Sequence, residues 1–152
     1  MKAMKRLILA FLMLFAVSAQ AENMLMARVN TDFDNAMILI KEKLNEYGYT
    51  ISHIQKCDGG LAEFGYKTGM YKSIFFGKFE EMRHLTGTYP ELIPYLPLKI
   101  AVMQEDKSIV MAALNPDIFS EIFQGRELKI QFGRWESDVR AIFEEINNSQ
   151  NH

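Results

Sequence analysis

The chain has 152 residues, with 17 Lys or Arg against 19 Asp or Glu and a formal net charge of −2 at pH 7. That length builds one domain around one core and leaves no room for a second, while the slightly acidic balance argues against nucleic acid or anionic lipid as the main partner. A single cysteine, Cys57, excludes an internal disulfide, and eleven Phe with six Tyr supply core-building material that a disordered chain lacks.

Lys2, Lys5 and Arg6, the apolar run from Leu7 to Val17 and the small-x-small triplet Ala19-Gln20-Ala21 together read as a secretory signal peptide over residues 1–21. The working protein is then expected to begin near Glu22. The apolar run is about half the roughly twenty residues that a spanning helix needs, so cleavage is expected rather than a retained anchor. No later segment reaches that length, since Leu96 to Met103 is broken by Pro97 and Lys99. The expected product is a soluble periplasmic or secreted protein without stable membrane insertion. Losing Lys2, Lys5 and Arg6 leaves 14 basic against 19 acidic residues, a formal charge of −5 that further disfavours nucleic acid.

Met24 to Asn30 predicts a strand that runs into Thr31-Asp32-Phe33-Asp34, a helix start with carboxylates in its first turn. Phe33, Met37, Ile40, Leu44 and Tyr47 recur at helical spacing, and Gly48 suits a left-handed stop. Tyr49 to Lys56 alternates as a half-buried strand, with Tyr49, Ile51 and His53 on one side and Thr50 and Ser52 on the other. Cys57-Asp58-Gly59-Gly60 is expected to be a turn, and Leu61 to Thr68 a loop with a short extended piece.

Met70 to Phe79 carries apolar residues on both faces and predicts an interior strand. About two helical turns follow to Thr86, then an irregular connection through Pro90, Pro94 and Pro97. Leu96, Leu98, Ile100 and Val102 share one face of the next strand, which turns at Glu105-Asp106-Lys107 into a hairpin partner from Ser108 to Leu114. Asn115-Pro116-Asp117 caps a short helix that ends by Gly125.

In the last segment a strand-like alternation of Leu128, Ile130 and Phe132 competes with a longer helical pattern of Leu128, Phe132, Trp135, Val139, Ile142 and Ile146. The longer pattern predicts a helix over 127–147, with Gly133 weakening its middle by roughly 1 kcal/mol. The elements close most simply as a two-layer α+β fold, a mostly antiparallel sheet with helices on one face. It occupies 22–147 as a single domain, with a disordered tail at 148–152.

Several ordered motifs carry a family resemblance: Glu46-Tyr47-Gly48-Tyr49-Thr50-Ile51-Ser52-His53, then Gly65-Tyr66-Lys67-Thr68 and Tyr71-Lys72-Ser73-Ile74-Phe75-Phe76-Gly77. Tyr89-Pro90-Glu91-Leu92-Ile93-Pro94-Tyr95-Leu96-Pro97-Leu98-Lys99-Ile100 and Asn115-Pro116 continue it. In their order and spacing these resemble the bacterial Domain of Unknown Function 302 family across the whole mature chain. The resemblance implies a fold of the TATA-binding-protein-like α+β class and brings no activity with it. Many relatives have a cysteine just after the Leu-Pro pair, where this chain has Leu98, so a thiol or metal role at that position does not transfer.

Candidate chemistry is sparse. His53 and Cys57 are residue types that ligate zinc or copper, but along an extended strand they stand roughly 13 Å apart, and two ligands fall short of a structural zinc site. His53 reads either as a core-edge histidine or as a general base, which needs a partner such as Glu63, Tyr66 or Tyr71. Cys57 reads as an inert thiol or as the centre of a thiol-redox or metal-handling site assisted by His53 or His84. No hydrolase, metalloprotease or paired-cysteine signature occurs, so neither a catalytic set nor a cofactor is implied.

The reading therefore favours a non-enzymatic exported module that binds a small ligand or a partner through an aromatic-rich face. Its candidate lining residues are Tyr66, Tyr71, Phe75 and His53, with Cys57 as a candidate reactive thiol. A small-molecule ligand and a homodimer both fit this expectation.

Overall fold

Spacing and capping explain the first long helix. In the computed structural model, which describes residues 22–66 and 69–149, strand β1 (Met24–Val29) leads into helix α1 (Phe33–Glu46). The N-cap Asp32 accepts a hydrogen bond from the Asn35 backbone N–H at 2.9 Å, satisfying one of the first-turn donors that have no partner within the helix. Phe33, Ala36, Met37, Ile40 and Leu44 form its buried stripe, and Gly48 ends it at a positive φ of 77°.

β2 (Thr50–Lys56), the short helix α2 (Asp58–Glu63), β3 (Tyr71–Gly77) and helix α3 (Phe79–Thr88) come next. A 3-10 turn at Pro90–Tyr95 precedes β4 (Leu98–Glu105) and β5 (Ser108–Leu114). A 3-10 turn at Pro116–Ile118, the one-turn helix α4 (Phe119–Ile122) and the long helix α5 (Arg126–Asn148) complete the chain. The expected signal peptide at 1–21 and residues 150–152 of the expected tail lie outside the described residues.

All four strand pairings are antiparallel, in the order β1-β5-β4-β3-β2. β2 to β5 form a meander, and α1 carries the chain from β1 at one edge to β2 at the other. Leu25, Ala27 and Val29 of β1, Ile74 and Phe76 of β3, Ile100 and Val102 of β4, and Ile109, Met111 and Ala113 of β5 point into one core. α1 and α5 close that core from the same side of the sheet, which gives the α+β architecture.

The helical reading of the last segment holds. Leu128, Phe132, Trp135, Val139, Ile142 and Ile146 are all buried, and Trp135 is 1% exposed. No helix among the described residues is long and apolar enough to cross a membrane.

Two local expectations need correction. Residues 58–63 form a helix rather than a turn and loop, despite two adjacent glycines. A β-bulge between Ile51 and His53 breaks the alternation expected for β2. Ile51 stays opposite Phe76 on the core side, whereas His53 falls opposite Phe75 on the other face. The extra residue thus takes His53 off the face it was expected to share with Tyr49 and Ile51.

Candidate functional site

The sheet face turned away from α1 and α5 is built in rows, because directly opposed residues in antiparallel strands project to the same side. One row is Gln55, Ser73, Ala101, Ala112 and Met26, reading from β2 to β1. A neighbouring row runs Tyr71, Met103, Val110 and Arg28; the row on the other side begins His53, Phe75 and Lys99 and is continued by Leu114 and Met24. Small side chains at Ala101 and Ala112 between larger neighbours make a trough in the sheet.

The stretch Pro94 to Pro97 forms one wall of that trough, with Pro97 following a cis peptide bond. Tyr95 is fixed there by edge-to-face contacts with Phe119 at 5.5 Å and Phe123 at 5.3 Å, and Phe119 in turn meets the core ring Phe132 at 5.5 Å. The enclosed groove has a volume of about 550 Å³, within the range of small-molecule sites. Tyr71, Phe75, Lys99, Ala101, Met103, Ala112, Leu114 and Met24 join the wall in lining it. Among the described residues, Lys99 is the sole cation of the lining, and the lining holds no carboxylate. Met24, Met26, Tyr95 and Leu114 leave large apolar surface in water, Met26 being 56% exposed.

Of the residues singled out in the sequence, Tyr71 and Phe75 line this groove. His53 lies on the same face with its ring 6.0 Å from that of Phe75, but it is exposed and outside the lining. Cys57 sits near the β2 edge, half-buried, with its Sγ 3.6 Å from Ser73 Oγ and 3.5 Å from the Gln55 carbonyl oxygen. Tyr66 follows the turn after α2, is 64% exposed and does not line the groove. Tyr95, Lys99, Ala101, Ala112 and Leu114 were not anticipated. The alternation Leu98-Lys99-Ile100-Ala101-Val102-Met103 holds the signal for β4, since its non-core half is the groove floor.

A polar network lies on the helical side of the sheet. Tyr49 Oη donates to Asp138 Oδ2 at 2.8 Å, Lys78 Nζ donates to the same oxygen at 3.0 Å, and the Lys78 ammonium stands 4.6 Å above the Tyr49 ring. Burial, then the bond to Asp138, raises the Tyr49 hydroxyl well above its ordinary range. Glu81 Oε2 accepts from Trp135 Nε1 at 2.8 Å and from Gln131 Nε2 at 3.0 Å. These bonds satisfy one another across Tyr49, α3 and α5 and fasten α5 in place.

His84 stands in a separate surface cluster with Glu127, whose carboxyl is also bonded by Tyr89 and held below its ordinary range. His84 is therefore not brought to Cys57. Among the described residues, no group of three or more His, Cys, Asp or Glu side chains could hold a metal ion.

No curated protein matches the chain. The crystal structure of an uncharacterized conserved protein DUF302 from Bacillus stearothermophilus shares the fold, with a TM-score of 0.73 and 17% sequence identity over 82% of this chain and 98% of that one. At that identity the likeness establishes the fold alone. The sequence pattern of the family described as Domain of unknown function DUF302 runs through residues 26–146, from inside β1 almost to the end of α5, and the chain belongs to that family.

Proposed function

We propose that this protein is a small-ligand-binding module whose site is the groove on the open face of its sheet. One observation carries the reading: an apolar trough of about 550 Å³ lies over well-packed strands, walled by aromatic side chains anchored in the core. A rigid floor lowers the ordering cost of binding, because the protein does not have to be frozen around its ligand. Tyr71 and Phe75 supply flat apolar area with few torsions to lose.

The test is uptake of the neutral fluorophore N-phenylnaphthylamine by the mature protein, together with native mass spectrometry for a retained small molecule. Binding is expected, and Ala101→Leu, which fills the trough floor, is expected to abolish it while leaving the denaturation midpoint unchanged. Failure of the fluorophore to bind, or binding indifferent to Ala101→Leu, overturns the reading.

We further infer that the module works after export. The motive is the leader pattern of Lys2, Lys5, Arg6 and the apolar run closed by Ala19-Gln20-Ala21. Protein recovered outside the cytoplasm of its host is expected to begin at Glu22, which intact-mass measurement decides; recovery only inside the cytoplasm with residues 1–21 attached sinks it.

A further inference from the structure

We propose that the ligand of this groove is an amphiphile with a single anionic group, held by Lys99 while its apolar body lies along Tyr71, Phe75, Tyr95 and Leu114. The proposal rests on the groove reading above and names its ligand class. Among the described residues, Lys99 is the only cation in the lining, the lining contains no carboxylate, and Lys99 has no ion-pair partner. Arg28, the other strand cation on this face, is already paired with Glu105.

Lys99 is directly opposite Phe75 in the sheet, so its ammonium leaves the strand between apolar side chains. Lys99 is itself exposed, so an amphiphile whose apolar body lies in the groove sets its anionic group against this cation at the solvent side. The net charge of the chain is negative, so anions are not drawn by its overall field, and selection falls to this one local charge. A second copy seated on the same face would bring a second Lys99 to a groove with no carboxylate to receive it. The charge pattern therefore favours a small anion over self-association.

Two fluorophores with the same ring body separate the two claims: neutral N-phenylnaphthylamine reports the groove, and anilinonaphthalene sulfonate adds the anion. The full-length protein is expected to bind the sulfonate about tenfold more tightly. Lys99→Met is expected to erase that preference, read as the ratio of the two affinities in the same protein, and Lys99→Arg to retain it. Equal binding of both probes with no response to Lys99→Met overturns the anion assignment and leaves the groove standing. Failure of both probes to bind overturns the groove itself.

Phosphatidylglycerol vesicles distinguish a free amphiphile from a membrane headgroup. The protein is expected to stay in the supernatant on centrifugation, and co-sedimentation abolished by Lys99→Met overturns the proposal in favour of a lipid surface. A dimer that excludes both probes overturns it in favour of a second copy.

Discussion

Gly133 lies in the middle of α5, half-buried, and a Cβ built there meets nothing within 4 Å. A helix-interior glycine costs about 0.5–1 kcal/mol relative to alanine through lost chain entropy, so Gly133→Ala is expected to stabilise the fold by that amount. Urea unfolding checks it: the midpoint should rise at constant slope. A lower midpoint would mean that the space beside Gly133 is needed. Cys57→Ser makes the opposite kind of prediction. The thiol is at the edge of the open face beside the Ser73 hydroxyl, outside the groove lining, and a second hydroxyl can keep the same polar neighbours. Probe binding is expected to be unchanged in fluorescence titration, and its loss would move the site to Cys57. His53 marks the limit of sequence reading at this scale. Alternation sets Tyr49, Ile51 and His53 on one face, but one extra residue in the strand reverses the side on which His53 emerges, and no residue type in Ile51-Ser52-His53 announces the bulge.

Between elements, α1 and α5 are joined at the surface by Glu145, which accepts hydrogen bonds from the Tyr47 hydroxyl and from Lys43 Nζ, the latter at 2.9 Å. The Tyr47 bond first, then the Lys43 bond, holds the Glu145 carboxyl below its ordinary 4.5. Glu127 is held below 4.5 by His84 and Tyr89, and Asp32 below 3.8 chiefly by the Asn35 backbone N–H. A carboxyl whose pKa is lower folded than unfolded contributes stability that is fully present above its unfolded value and is lost as pH falls through its folded one. Stability is therefore expected to decline as pH drops below the ordinary carboxyl values, and Glu145→Gln to flatten part of that decline. Thermal melts of both proteins down the acid limb check this, and identical pH dependence would show that the tie contributes nothing. The same elements explain what could be read in advance. α5 was legible because six apolar residues keep one helical stripe over many turns, which a short strand cannot imitate. α2 was not, because its Asp58-Gly59-Gly60 start has turn composition and the helix is only six residues long. The groove was half legible: the aromatic residues of β3 stand out by type, whereas Ala101 and Ala112 matter by being small, a property without meaning until the strands are in register.

At the scale of the whole molecule, the sheet has two unlike faces, and the start of the described chain is fastened near where they meet. The Glu22 carbonyl accepts from Asn115 Nδ2 at 2.7 Å, the Asn23 carbonyl accepts from the Asn115 backbone N–H at 2.9 Å, and the Glu22 carboxylate pairs with Arg140 of α5 at 3.1 Å. Asn115 is buried, and its side-chain oxygen also caps the following 3-10 turn by accepting from the Asp117 N–H. One side chain thus links the beginning of β1, the end of β5 and the turn toward α4. Removing a buried polar group of this kind leaves its partners unsatisfied, which costs about 1–3 kcal/mol, whereas the more exposed Glu22–Arg140 pair contributes little. The chain beginning at Glu22 retains all of these bonds and is expected to fold on its own, with the circular dichroism and melting temperature of the full-length chain. Asn115→Ala in that shorter chain is expected to lower stability by about 1–3 kcal/mol, while Glu22→Gln changes it by less than about 0.5 kcal/mol. If the chain from Glu22 fails to fold, residues 1–21 are part of the fold and the domain does not begin where its hydrogen bonds do. If Asn115→Ala is neutral, β1 is held by its pairing with β5 alone, and the fastening at Glu22 and Asn23 is incidental to the fold.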